Sequence, residues 1–167
     1  LRAFPPEYNG ASHGCLLAQA IQAYDSPRCR SVLLAALRDP EAVVVEHAAL
    51  LISESVASAP TAIPALVDAF DLENTEACAA ILFALGFARQ ADLAAPVVLA
   101  ALRQTDERLR REAALVLGRL GLDSSEALSL VREGMNTWDP EGRLVAAFAV
   151  HQLDPTAAEP MPLLLAP

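Results

Sequence analysis

Four alanine pairs, Ala48-Ala49, Ala79-Ala80, Ala113-Ala114 and Ala146-Ala147, recur along the chain at spacings of 31, 34 and 33 residues. Internal repetition at a period between about 20 and 50 residues is the signature of stacked repeat architectures. Each pair lies a few residues after an acidic or Asn start: Asp39-Pro40, Asn74, Asp106 and Asp139-Pro140. Each is followed by an apolar stretch, and a second apolar stretch comes later in each unit, at residues 63–70, 93–102, 127–131 and 161–165. The unit therefore reads as helix, turn, helix, turn.

The start signals have a physical basis. Ser26-Pro27, Asp39-Pro40, Asp139-Pro140 and Asp154-Pro155 each place a capping side chain before a proline. The cap accepts an unpaired N–H of the first turn, and proline at the first helical position loses no hydrogen bond. Asp123 with Glu126 has capping-box spacing. Gly121, after Gly118-Arg119-Leu120, marks a left-handed helix end. These signals predict first helices over residues 11–24, 40–57, 74–89, 106–120 and 140–153, and second helices over 27–38, 62–70, 92–104, 124–135 and 156–166.

Composition agrees. Ala contributes 34 and Leu 27 of the 167 residues, and only 5 % are aromatic. Strong helix formers with few strand-favouring residues exclude an all-β fold, and 54 % hydrophobic content excludes disorder. One helix pair cannot bury its apolar face alone, so the stack is the folding unit. The expected fold is all-α: a right-handed α-solenoid of about five stacked antiparallel helix pairs in one domain, residues 1–167, with units at 8–38, 39–70, 71–105, 106–138 and 139–167. The given chain can be part of a longer one.

The run DERLRREAALVLGRLG at residues 106–121 resembles the short HEAT-like repeat of phycobilisome-lyase-type proteins, where Asp opens a helix and an Ala pair precedes Leu-Gly-x-Leu-Gly. Residues 39–52, 74–86 and 139–153 look like weaker copies. The resemblance implies a HEAT-like superhelix whose second helices line a concave face. Such repeats serve as scaffolds, adaptors and a few enzymes, so the likeness bears on architecture more than on function.

Charge is unevenly placed. The net charge is −9, which speaks against nucleic-acid binding. Residues 39–70 carry −5 and residues 71–102 carry −3, beside a balanced segment that holds Arg103, Arg108, Arg110 and Arg111. Asp106, Glu107 and Glu112 are close enough in sequence to pair with these arginines as a solvated helix face. On the functional reading, Arg108 and Arg111, three apart, meet an acidic partner. Trp138, between two units, either covers a turn or anchors a partner. Asp68 and Phe70 end the sparsely charged second-helix run that begins at Thr61, and they complete the candidate partner-binding set.

Other chemistry finds little support. Glu46-His47 with Glu54 offers fewer than the three ligands a transition-metal site usually needs. Ser53, Ser55 and Ser58 lack a nucleophile-elbow motif. No phosphate loop occurs. Cys15, Cys29 and Cys78 form no CxxC pair and read as buried thiols in a reducing compartment. No apolar run is long enough to span a membrane. The sequence thus predicts a cytoplasmic, non-enzymatic scaffold or adaptor without cofactor or metal. Its expected partner is another protein, bound through the concave second-helix face, with self-association through the apolar last repeat as a further contact. The alternative implied by the resemblance is a bilin lyase-like chaperone with His47 or His151 as polar anchor. A DNA-binding helical repeat is the third reading, and the acidic balance opposes it.

Overall fold

The computed structural model describes residues 27–53, 60–87, 90–122 and 124–165. Among the described residues there are nine α-helices and no strand. In chain order they are α1 (Pro27–Ala36), α2 (Ala42–Ser53), α3 (Ile63–Asp68), α4 (Thr75–Leu85), α5 (Ala91–Leu102), α6 (Glu107–Leu120), α7 (Ser125–Thr137), α8 (Pro140–Leu153) and α9 (Met161–Leu164). A short 3-10 turn, Pro60–Ala62, leads into α3. The expected first helix at 11–24 lies outside the described residues, as do His13, Cys15, Glu54, Ser55 and Ser58.

Sequence signals set most of the boundaries. Asn74 accepts the N–H of Ala77 at 3.3 Å, Asp106 that of Leu109 at 2.8 Å, and Asp139 that of Gly142 at 3.1 Å. These caps fix the first turns of α4, α6 and α8. Gly121 ends α6 with φ of 59°, the left-handed conformation only glycine adopts without strain, and its N–H returns to the carbonyl of Gly118.

Three start signals read differently in the structure. Asp39-Pro40 precedes a turn, with the Asp39 carboxylate accepting the Glu41 N–H at 2.9 Å, and α2 begins only at Ala42. The cap of α7 is Ser124, which accepts the N–H of Ala127 at 3.2 Å, while Asp123 lies outside the described residues. Asp154 does not open a long last helix. It closes α8, and its carboxylate accepts the Thr156 N–H at 3.1 Å and the Thr156 hydroxyl at 2.6 Å. That local turn, with Pro155, Pro160 and Pro162 close behind, leaves only four residues for α9.

The helices alternate between two layers, as in an α-solenoid. α2, α4, α6 and α8 form one layer; α1, α3, α5, α7 and α9 form the other. One continuous apolar core lies between them, with Ile52, Leu66, Ile81, Leu82, Val98, Leu117, Val131 and Val150 fully buried. First helices of neighbouring units lie much closer to one another than second helices do. Small residues allow this. Ala113, Ala114, Ala146, Ala147 and Ala149 are buried without exposure, and a Cβ on Gly118 would stand 3.4 Å from Ala149 Cα.

The buried pairs Ala48-Ala49, Ala113-Ala114 and Ala146-Ala147 are the close-approach positions of the first-helix layer; in α4 Ile81-Leu82 takes that place instead of Ala79-Ala80.

Candidate functional site on the first-helix layer

The four first helices start at residues 42, 75, 107 and 140, so their positions can be matched one to one. The seventh and eighth positions are Ala48-Ala49, Ile81-Leu82, Ala113-Ala114 and Ala146-Ala147, all buried. In α4 the Ala pair at 79–80 is thus displaced by two positions, and the larger Ile81-Leu82 fills the inter-helix layer. The outward fifth and sixth positions hold Glu46 and His47 in α2, Arg111 and Glu112 in α6, and Leu144 and Val145 in α8. In α4 the same two positions hold only Ala79 and Ala80.

Short side chains between longer neighbours leave a depression. Its cavity of about 170 Å³ is lined by Glu46 and Leu50 from α2, Ala79, Ala80 and Phe83 from α4, and Arg108 and Glu112 from α6. Ala79 and Ala80 are its floor. Burial raises the Glu112 carboxyl above its usual value, and the nearby Arg119, Arg108 and Arg111 only partly counter this. Neither Glu46 nor Glu112 makes an ion pair or side-chain hydrogen bond among the described residues.

One side of the depression is stiffened by aromatic contacts. Phe83 and Phe87 meet edge to face with centroids 5.0 Å apart. The Arg119 guanidinium lies 5.9 Å from the Phe83 centroid and 5.3 Å from that of Phe87, a cation–π bridge between α6 and α4. Further along the layer, Val43, Leu144 and Phe148 are exposed, as are Leu50 and Phe87 at the depression. Leu50 and Phe148 share the ninth position of α2 and α8, while α6 exposes no large apolar side chain.

Of the partner-binding candidates, the structure brings Arg108 alone to the depression. Arg111 turns away: its guanidinium lies 3.0 Å from Asp139 and 3.1 Å from Glu141 on α8. Asp139 is also the cap of α8, so this ion pair ties the start of one unit to the previous one. Trp138 is buried, with its ring against Gly134 and the Arg110 guanidinium 5.2 Å from its centroid. It covers a turn and offers no anchor. Asp68 is exposed at the end of α3 and Phe70 is half-buried against the core, both on the second-helix layer.

Glu112 keeps Arg108, Arg111 and Arg119 of its own helix as electrostatic neighbours without a close ion pair, and the ion pairs themselves run across units. Arg103 bonds Glu126, and Arg132 bonds Glu159 at 3.2 Å. Asp106 is occupied as a cap. His47 places Nδ1 2.6 Å from the Val43 carbonyl, within its own helix. Among the described residues no group of three or more His, Cys, Asp and Glu side chains comes together. The Cys78 thiol is pushed up to about 11 by burial and donates to the Asp71 carbonyl. Cys29 contributes to α1, but its side chain lies outside the described residues.

The family model for HEAT repeats matches residues 72–151, which span α4 to α8. The chain is a HEAT-like repeat protein. The HEAT match begins just before Asn74 caps α4 and ends within the last turn of α8, so it covers the part where the caps recur most regularly. A search of the curated proteins gives no match. HEAT repeats generally mediate contacts between proteins. No helix among the described residues is long and apolar enough to cross a membrane.

Sequence reasoning missed Glu46, Leu50, Phe83 and Glu112 as a group. The signal was present: Ala79 lies five residues after its cap Asn74, whereas Ala113 and Ala146 lie seven after theirs.

Proposed function

We propose that this HEAT-like chain is a non-enzymatic adaptor that binds another protein along its first-helix face. The observation that carries the reading is the row of exposed apolar side chains on that face, Val43, Leu50, Phe87, Leu144 and Phe148, each between 39 and 54 % exposed. Exposed apolar residues on α2 and α8, with Phe87 just after α4, suit an extended segment or helix of a partner. The second-helix layer also exposes Val32, Leu93 and Met161, but they lie on α1, α5 and α9, separated by α3 and α7, which expose no large apolar side chain. The proposal keeps the protein partner expected from the sequence and moves the surface from one layer to the other.

The test is affinity capture from an extract of the source cells with three baits: the wild-type chain, a Leu50→Asp/Phe148→Asp variant, and a Leu93→Asp variant on the second-helix layer. Capture retained by Leu93→Asp and abolished by the double variant supports the proposal. Capture lost with Leu93→Asp and retained by the double variant refutes it.

A further inference from the structure

We propose that the open side of α8 is the contact between two copies of this chain, related by a two-fold axis across the middle of that helix. The inference goes beyond the adaptor reading and stands without it. It gives the self-association expected of the last unit a defined surface.

The shared frame of the first helices identifies that side. A Cβ on Gly86, at the twelfth position counted from Thr75, would stand 3.2 Å from Val116 Cγ2 on α6. A Cβ on Gly118, at the twelfth position of α6, would stand 3.4 Å from Ala149 Cα on α8. At the fifth position of α6, Arg111 reaches Asp139 and Glu141 at the start of α8. The fifth and twelfth positions therefore face the following unit. On α8 they hold Leu144 and His151, and among the described residues no helix follows α8 in this layer. Leu144 is 48 % exposed and Phe148, one turn on, 42 %.

The spacing then names the neighbour. Glu141, Leu144, Phe148 and His151 follow one another at intervals of three, four and three residues. They share one face of the helix, and the intervals are the same read from either end. In an antiparallel pair of α8 helices with the axis at Ala146, Leu144 of each copy lies level with Phe148 of the other, and Glu141 level with His151. The pair thus joins apolar to apolar and carboxylate to imidazole, twice each. Such a self-complementary patch is isologous and closes after two copies. Both polar members have capacity to spare: the Glu141 side chain is 73 % exposed, and His151 Nδ1 makes no hydrogen bond within its own chain.

Other occupants fit less well. A further unit that began with acidic residues, as α8 does, would find Leu144 where α6 offers Arg111. A head-to-tail contact would bring residues 39–70, with a net charge of −5, against this unit, which has four acids and Arg143. In the two-fold contact the unit's remaining acids are already engaged, Asp139 by Arg111, and Asp154 and Glu159 by Arg132. One helix pair about 21 Å long buries much less than the ~1,600 Å² of a standard interface, so the dimer is weak, with Kd of about 10–100 µM. A partner that takes Leu144 or Phe148 competes with the second copy, while Leu50 and Phe87 stay open to it.

The experiment is sedimentation equilibrium of the 167-residue chain from about 5 to about 500 µM, which brackets that affinity. The weight-average mass is expected to climb from one chain to two and stop there. Leu144→Asp and Phe148→Asp should each weaken association at least about tenfold, whereas Leu93→Asp on α5 should not. Leu144→Gln repeats the test without a new charge, and circular dichroism checks that each variant is folded. Glu141→His and His151→Glu should each weaken association about two- to fivefold. Mixed in equal amounts they should restore it, because every His then meets a Glu across the axis. A single-chain mass at all concentrations overturns the inference, and so does growth beyond two copies. Association that survives both Leu144 substitutions also overturns it, as does a mixture no stronger than its components.

Discussion

Gly134 allows a sharp test, because two effects of known sign oppose each other there. It lies inside α7, where replacing glycine by alanine normally stabilises a helix by about 1 kcal/mol. Its space, however, is taken. A Cβ at Gly134 would stand 2.6, 2.7 and 2.9 Å from three atoms of the Trp138 indole. That ring is buried and carries the Arg110 guanidinium 5.2 Å from its centroid, so it is not the free end of a flexible side chain. Overpacking costs about 1–3 kcal/mol, and three contacts below 3 Å put this case at about 2–3 kcal/mol, against a helix gain of about 1. The clash should therefore win, and Gly134→Ala should destabilise the chain by about 1–2 kcal/mol, lowering Tm by roughly 2–8 °C for a domain of this size. In a Trp138→Ala background the ring is gone, and the same substitution should instead stabilise by about 0.5–1 kcal/mol. Urea denaturation of the four chains of this cycle gives both values and their coupling. If Gly134→Ala stabilises the wild type, or has the same sign in both backgrounds, the packing of Trp138 over Gly134 is not as described.

Four further outcomes follow from named contacts. Gly121 has open space around it but φ of 59°, so Gly121→Ala should lose about 1 kcal/mol by backbone strain alone, independently of Trp138. Arg111→Gln should cost about 1–2 kcal/mol in the same assay; Asp139→Asn should approach that loss, whereas Glu141→Gln, whose side chain is 73 % exposed, should change little, and equal effects of the last two would remove the assigned role of Asp139. The Cys78 thiol, raised to about 11 by burial, should resist iodoacetamide at pH 8 in the native chain and react after unfolding, as peptide mapping by mass spectrometry can show. For Glu112 the sign runs opposite to most carboxylates: a folded-state pKa raised by burial means the native state holds the proton more tightly. Its contribution is fully present below the ordinary glutamate value of 4.5 and is lost as pH rises through the raised value. Glu112→Gln should flatten that fall in stability just above pH 4.5, and an unchanged pH profile would contradict the desolvation of Glu112.

Much of the fold was legible because its determinants are local. Caps such as Asn74, Asp106 and Asp139, and the left-handed Gly121, each act through a hydrogen bond or dihedral within a few residues, so sequence spacing alone reveals them. The 33-residue period was equally open, since close helix approach demands small residues at fixed intervals. The last helix was overcalled because Asp154-Pro155 matches a helix start in sequence, while its carboxylate spends itself on Thr156. The ion pairs were misplaced because helix-surface spacing sees only neighbours on the same helix. Arg111 reaches Asp139, 28 residues away, and only the stack brings those two together.

The candidate site was hidden by the same feature that exposed the fold. Ala79-Ala80 fits an alanine-pair pattern, so it reads as one more instance of the repeat. Counting from the caps separates the two cases: the pair lies one half-turn early, on the outward side of α4, and Ile81-Leu82 does the packing that alanines do elsewhere. A bulkier residue in the layer and smaller ones outside it lower the surface between α2 and α6. In a repeat protein whose units otherwise follow one frame, a unit that departs from the frame while keeping its core sealed is the place where surface shape is not dictated by stacking. That places the binding hypothesis at the irregular unit, α4, and makes Ala80 the residue to vary. Ala80 is only 6 % exposed, so Ala80→Gln measures the room above it: little change in urea denaturation means the longer side chain reaches into the depression, and a loss of more than about 2 kcal/mol means the floor is sealed.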